Sequence, residues 1–157
     1  MGHAFAADPT REAAALIRPG SPALVVFRDR TELAWMRWLA RGFRHCAVVV
    51  RVGGDWVLID SLSHSICVGR FAAEPIGRLA ERYRQAGMIA VATRVRQAPE
   101  RLAPILPLTC VEAVKRVLGI HAWTILTPRQ LHRHLTAPAE KLREIFPPLR
   151  EFAARER

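Results

Sequence analysis

The chain has 157 residues, half of them hydrophobic, and 24 basic against 14 acidic residues give it a formal charge of +10. That length can bury a sizeable core, and the composition excludes a disordered body. The excess charge is almost all arginine and is dispersed, with no long run of like charges and no recognisable nucleic-acid motif, so a solvated basic surface is expected ahead of a polyanion or anionic-membrane contact.

In chain order the sequence reads as one domain over residues 1–157, with a core of about 18–135 and a helical C-terminal extension, 136–157. Arg18-Pro19-Gly20-Ser21-Pro22 opens a first strand through Arg28. Thr31 to Arg41 predicts a helix whose Leu33, Trp35, Met36, Trp38 and Leu39 are apolar nearly all round. That pattern favours a helix buried on a sheet. The functional reading is a hydrophobic substrate wall, or an interfacial element with Arg37 and Arg41 at lipid headgroups and one of the two tryptophans exposed.

Next come two strand-like runs, His45 to Val52 and Asp55 to Leu62, around Gly53-Gly54, which is a hairpin signal. With the two glycines as the loop, Val52 pairs with Asp55, Ala47 with Asp60 and His45 with Leu62. His45 and Asp60 then share a face as diagonal neighbours, roughly 7–8 Å apart. A one-residue slip would send Asp60 to the other face.

Ser65 to Phe71 predicts a further strand, and Pro75 to Ala86 an amphipathic helix resting on Ile76, Leu79, Ala80 and Tyr83, ended by Gly87. Met88 to Val95 predicts another strand, and a Pro-punctuated link runs from Gln97 to Leu108. A helix then starts at Cys110: Pro107 and Thr109 mark its beginning, Val111, Val114 and Leu118 form its apolar stripe, and Gly119 stops it. Trp123 to Leu126 reads as a short strand, Thr127-Pro128 starts a small helix through Leu135, and Glu140 to Arg157 is helical but broken at Pro147-Pro148.

A thiol in the first turn of a helix lies beside unpaired N–H groups and the positive end of the helix dipole, which favour thiolate. With His45 as base and Asp60 as orienter, Cys110 completes the composition of a cysteine nucleophile site. Each residue has a plainer alternative. Cys110 reads also as a small core hydrophobe, His45 as a strand-end histidine, and Asp60 as a cap of the turn at Ser61-Leu62-Ser63. His64 is the reserve for the third position. A zinc site from His45, Cys46, His64 and Cys67 is disfavoured, because adjacent strand residues point to opposite faces, and His132 and His134 lack a nearby cysteine or carboxylate.

The order of these elements resembles the permuted papain-like branch of the NlpC-type cysteine hydrolases, which includes lecithin:retinol acyltransferase-like enzymes. The resemblance covers about residues 18 to 120: a Pro-Gly opening before a strand, a helix, a strand beginning with His45, a strand ending in Asp60, and Cys110 at a helix start. Two departures are Ser21 after the opening Gly20, where the family commonly has Asp, and Cys46 after the histidine, where a small apolar residue is usual.

The resemblance implies an α+β fold, an antiparallel sheet packed with helices, and hydrolysis of an amide or ester bond by Cys110, His45 and Asp60 with no cofactor and no metal. It implies as substrate a peptide, a cell-wall peptide or an acyl lipid. Two other readings stay open: a non-catalytic module of the same fold that binds a polyanion or partner through its basic surface, and a membrane-associated acyltransferase. Three cysteines without dense spacing argue against a disulfide scaffold. The lack of a bilayer-length apolar stretch or signal-peptide core predicts a bacterial cytoplasmic location.

Overall fold

The computed structural model describes residues 17–29, 38–99 and 109–138. It is an α+β fold: among the described residues there are a five-stranded antiparallel sheet and three helices. The strands are β1 (Pro22–Arg28), β2 (His45–Val52), β3 (Asp55–Ser61), β4 (Ile66–Phe71) and β5 (Ile89–Arg94). The helices are α1 (Ile76–Gln85), α2 (Cys110–Val117) and α3 (Pro128–Thr136). Across the sheet the order is β4-β3-β2-β1-β5.

The two inner strands β1 and β2 are near-continuous apolar runs because both of their faces are covered. On one face Leu24, Val26 and Val49 pack with Trp56 and with Leu79 and Ala80 of α1. On the other, Ala23, Val25, Phe27, Cys46, Val48 and Val50 pack against Val111, Val114 and Leu118 of α2 and Leu131 of α3. Each fully buried side chain of this kind contributes about 1.5–3 kcal/mol. The buried indole of Trp56 donates from Nε1 to the Glu74 carbonyl at 2.9 Å, which fixes the approach to α1.

The expected hairpin register is the one observed, from Val52↔Asp55 to Val48↔Ile59. Gly53 and Gly54 both have positive φ, +56° and +106°, a turn that side-chain-bearing residues adopt only with strain. The predicted further strand, the Leu79/Ala80 helix, the following strand and the last small helix are all present, within a residue or two of their expected ends.

Trp123 to Leu126 is a correction. Those residues form turns, not a strand. Their backbone is engaged elsewhere: Ile125 N donates to the Ala122 carbonyl, and the Ile125 carbonyl accepts from Lys115 Nζ at 3.3 Å. Residues 31–37 of the expected tryptophan helix lie outside the described residues, and so do residues 100–108 of the link and 139–157 of the C-terminal extension. At the near end of that tryptophan segment Trp38 is 93% exposed, so burial does not hold there. Among the described residues no helix is long and apolar enough to cross a membrane.

Helix α2 is held at both ends. Thr109 caps it by accepting from Glu112 N at 3.2 Å. At the far end Arg96 N, just past β5, donates to the Leu118 carbonyl at 2.9 Å. Gly119 there has φ +68°, and a Cβ would sit 2.5 Å from the Arg96 carbonyl oxygen, so no larger residue fits without a shift. These anchors lay the helix along β2, with Cys110 at the end of the sheet where β2 begins.

Candidate active site

His45 opens β2 and is buried, and it is positioned by the loop that precedes it. Gly42 N and Arg44 Nη1 both donate to the Asp29 carboxylate, at 2.8 and 3.3 Å, and Arg44 N donates to the Arg28 carbonyl. The imidazole Nε2 lies 2.5 Å from Asp60 Oδ1. The second carboxylate oxygen of Asp60 accepts from Arg28 Nη2 at 2.9 Å. Arg28 is the cross-strand partner of His45 on β1, so the three polar side chains meet at one end of the sheet.

Nε2 is committed to Asp60, which leaves Nδ1 for the sulfur of Cys110. Cys110 packs in one buried cluster with Cys46, and the His45 imidazole, the Cys46 thiol and the Cys46 N–H all act on its sulfur to favour the thiolate. One sulfur meets both His45 and Cys46, although alternation sends their side chains to opposite faces. Pairing between β2 and β3 stops at Val48↔Ile59, while β2 continues beside β1 to His45 and β3 beside β4 to Ser61. Past that point the backbone of residues 45–47 has no ladder partner on the β3 side.

The electrostatics follow from these contacts. The largest influence on Cys110 is the hydrogen bond from the Cys46 thiol; burial opposes it, and the His45 and Cys46 N–H hydrogen bonds reinforce it, lowering the thiol to about 4. Burial disfavours a charged imidazole at His45, but hydrogen bonds to Asp60 and Cys110 outweigh it and raise the group to about 9. Burial likewise opposes ionisation of Asp60, yet the bond from His45 and the nearby Arg28 charge hold it below the usual carboxylate range. The resting pair is therefore thiolate and imidazolium. Cys46 behaves oppositely: its hydrogen bond to Cys110 and its burial keep it a neutral thiol.

The structure brings together all three expected residues, Cys110, His45 and Asp60. His64, the reserve, is exposed in the turn between β3 and β4, and it is Asp60 that meets the imidazole. Cys67 is exposed on β4. His132 packs its ring on Phe27 and Phe43, with centroids 5.4 and 4.9 Å away, and His134 meets Arg96. Among the described residues no group of three or more histidine, cysteine or carboxylate side chains could hold a metal ion.

Two site residues escaped the sequence reading. Arg28 was legible in principle, since pairing β1 with β2 sets it opposite His45. Cys46 was not, because its contact depends on how α2 packs on the sheet. No protein-family model matches this chain, and no curated protein or solved structure is significantly similar to it.

Proposed function

We propose that the chain is a cysteine hydrolase of the permuted papain-like, NlpC type that cleaves an amide or ester through Cys110, His45 and Asp60. The observation that supports this most is His45 held by Asp60 through Nε2 beside a cysteine in the first turn of a helix, where its thiolate is favoured. The order of elements around it, and the antiparallel sheet with the cysteine helix laid along the histidine strand, agree with that family's plan.

In this reading the Cys110 thiolate attacks the acyl carbonyl and the His45 imidazolium gives its proton to the departing amine or alcohol. Water then attacks the thioester, with the now neutral imidazole taking its proton. Asp60 keeps the ring oriented throughout. At a helix start the N–H of Cys110 has no intrahelical acceptor, so it is available to the oxyanion. A peptide, a cell-wall peptide or an acyl lipid would present such a carbonyl.

The test is acylation by an activated ester, read by intact mass and peptide mapping. A hydroxylamine-labile acyl group on Cys110 is expected, slowed about 10²–10⁴-fold in His45→Ala. Its rate should be bell-shaped in pH, rising as the thiol ionises near 4 and falling as the imidazolium is lost near 9. If Cys110 is acylated no faster than exposed Cys67, or equally in His45→Ala, the hydrolase reading fails. The non-catalytic module that binds a polyanion through the basic surface then takes its place.

One observation favours a second reading, acyl transfer at a membrane: the nearly full exposure of Trp38 just before the histidine strand. Co-sedimentation with anionic vesicles that is lost in Trp38→Ala would support it, and indifference to vesicles would remove it.

A further inference from the structure

Hydrolysis needs one cysteine at this site, and the structure holds two. Cys46 is fully buried on the face of β2 that α2 covers, and its thiol and N–H both favour the thiolate of Cys110. Both residues belong to one packed cluster, and both thiols are free. Phe27, the cross-strand partner of Cys46, with Phe43 tilted against it and His132 edge-on, packs on that face. Cys110 keeps 8% of its surface and Cys46 none. Of the two thiols, Cys110 is therefore the one an oxidant meets first.

We propose that Cys46 and Cys110 form a redox-active pair in which a hydroperoxide oxidises Cys110 to the sulfenic acid, Cys46 condenses with it, and the disulfide caps the nucleophile until a thiol reductant reopens it. The idea shares with the hydrolase reading the premise of a Cys110 thiolate, but it needs no acyl substrate.

In the first step the thiolate attacks the outer peroxide oxygen. An S–O bond forms, the O–O bond breaks, and the departing alkoxide or hydroxide takes the His45 imidazolium proton. Sulfur loses two electrons to the peroxide. In the second step the Cys46 sulfur attacks the sulfenic sulfur, the S–S bond forms, and hydroxide leaves with the Cys46 proton as water. Reduction by two equivalents of a thiol proceeds through a mixed disulfide and restores both groups.

The arrangement also orders these steps. The anionic sulfur of Cys110 is what mainly holds the Cys46 thiol protonated. Once Cys110 becomes a neutral sulfenic acid, that restraint is gone and Cys46 ionises more readily. The resolving thiol is silent until the first sulfur has been oxidised. Without it, a sulfenic acid would continue to the irreversible sulfinic acid under excess oxidant.

The experiment treats the full chain with hydrogen peroxide near stoichiometry and maps it under non-reducing conditions. Expected is a peptide linked between Cys46 and Cys110, with loss of iodoacetamide labelling at Cys110 and its full return after dithiothreitol. In Cys46→Ala and Cys46→Ser the linked peptide is absent, dimedone traps the sulfenic acid on Cys110, and excess peroxide removes labelling that dithiothreitol no longer restores. If both variants fail to fold, the wild-type linkage alone decides.

A Cys110 that labels fast at pH 6 yet accumulates sulfenic acid without linkage overturns this proposal and leaves the hydrolase reading intact. Linkage to Cys67 overturns it as well. Slow labelling at pH 6 together with no linkage overturns both.

Discussion

Helix α2 holds two buried charged clusters, one turn apart, and only one of them has the makings of a reactive site. In its first turn Cys110 faces His45, Asp60 and Arg28. In its middle Glu112 accepts from Lys115 Nζ at 2.7 Å and from Arg116 Nε at 3.0 Å, and Lys115 also donates to the Ile125 carbonyl. Lys115 is only 1% exposed.

The second cluster is closed. Each named donor points at a fixed acceptor, and its effect is to tie the 120–126 turn to the helix. The first holds groups that can react: a thiolate nucleophile, and a partner histidine that gives up its proton near pH 9. Buried charge alone therefore says little about function. What separates the two clusters is a nucleophile beside a group that can change its protonation.

The comparison breaks most sharply at Asp60. In Asp60→Asn the imidazolium loses its anionic partner, so His45 falls from about 9 toward its ordinary value near 6.5. Cys110 acylation at pH 8 should drop by about 10²-fold, with the alkaline limb of the rate profile moving down by more than one pH unit. Thermal stability should change far less than the rate. An unchanged alkaline limb would remove Asp60 from the role assigned to it.

Lys115→Met should do the reverse. Leaving Glu112 buried with only Arg116 is expected to cost about 3 kcal/mol of unfolding free energy, measured by urea denaturation. Adding Glu112→Gln should recover much of that loss, because no uncompensated buried charge then remains. Under folding conditions Cys110 labelling should keep its wild-type pH profile in both variants. A rate loss matching that of Asp60→Asn would show that the two clusters are one.

The two clusters also differ in how readily the sequence gives them away. The hairpin register followed from Gly53-Gly54, and it put His45 and Asp60 on one face without reference to any fold. Thr109 and the Val111, Val114, Leu118 stripe placed Cys110 in a first helical turn. The Glu112, Lys115 and Arg116 spacing, by contrast, is that of an ordinary solvated helix face. Only the later turn that covers it makes it a buried network, and that turn had been read as a strand. Cys46 was hidden for a related reason. Strand alternation puts it on the face opposite His45, where it is found, and only the packing of α2 on that face brings Cys110 to it. Local patterns survive from sequence to structure; contacts made across elements do not.

The smallest expected effect is thermodynamic and concerns the Cys110–His45 pair itself. A raised His45 stabilises the fold fully below 6.5, its unfolded value, and that contribution is lost as pH rises through about 9. A lowered Cys110 contributes fully above 9.0, its ordinary value, and loses that contribution as pH falls toward about 4. Between 6.5 and 9 the two slopes cancel, because the native pair and the unfolded chain each hold one proton. Between 6.5 and 4 the native pair holds one proton and the unfolded chain two, so acid favours unfolding. Asp60, lowered from 3.8, adds its own loss further below. The melting temperature should thus be level from pH 6.5 to 9 and fall on acidification to pH 4. In Cys110→Ser, whose hydroxyl does not ionise, that acid fall should be shallower. An equal fall in wild type and Cys110→Ser would mean that the sulfur carries no proton deficit in the native state, and the contrast between the two clusters would then fall.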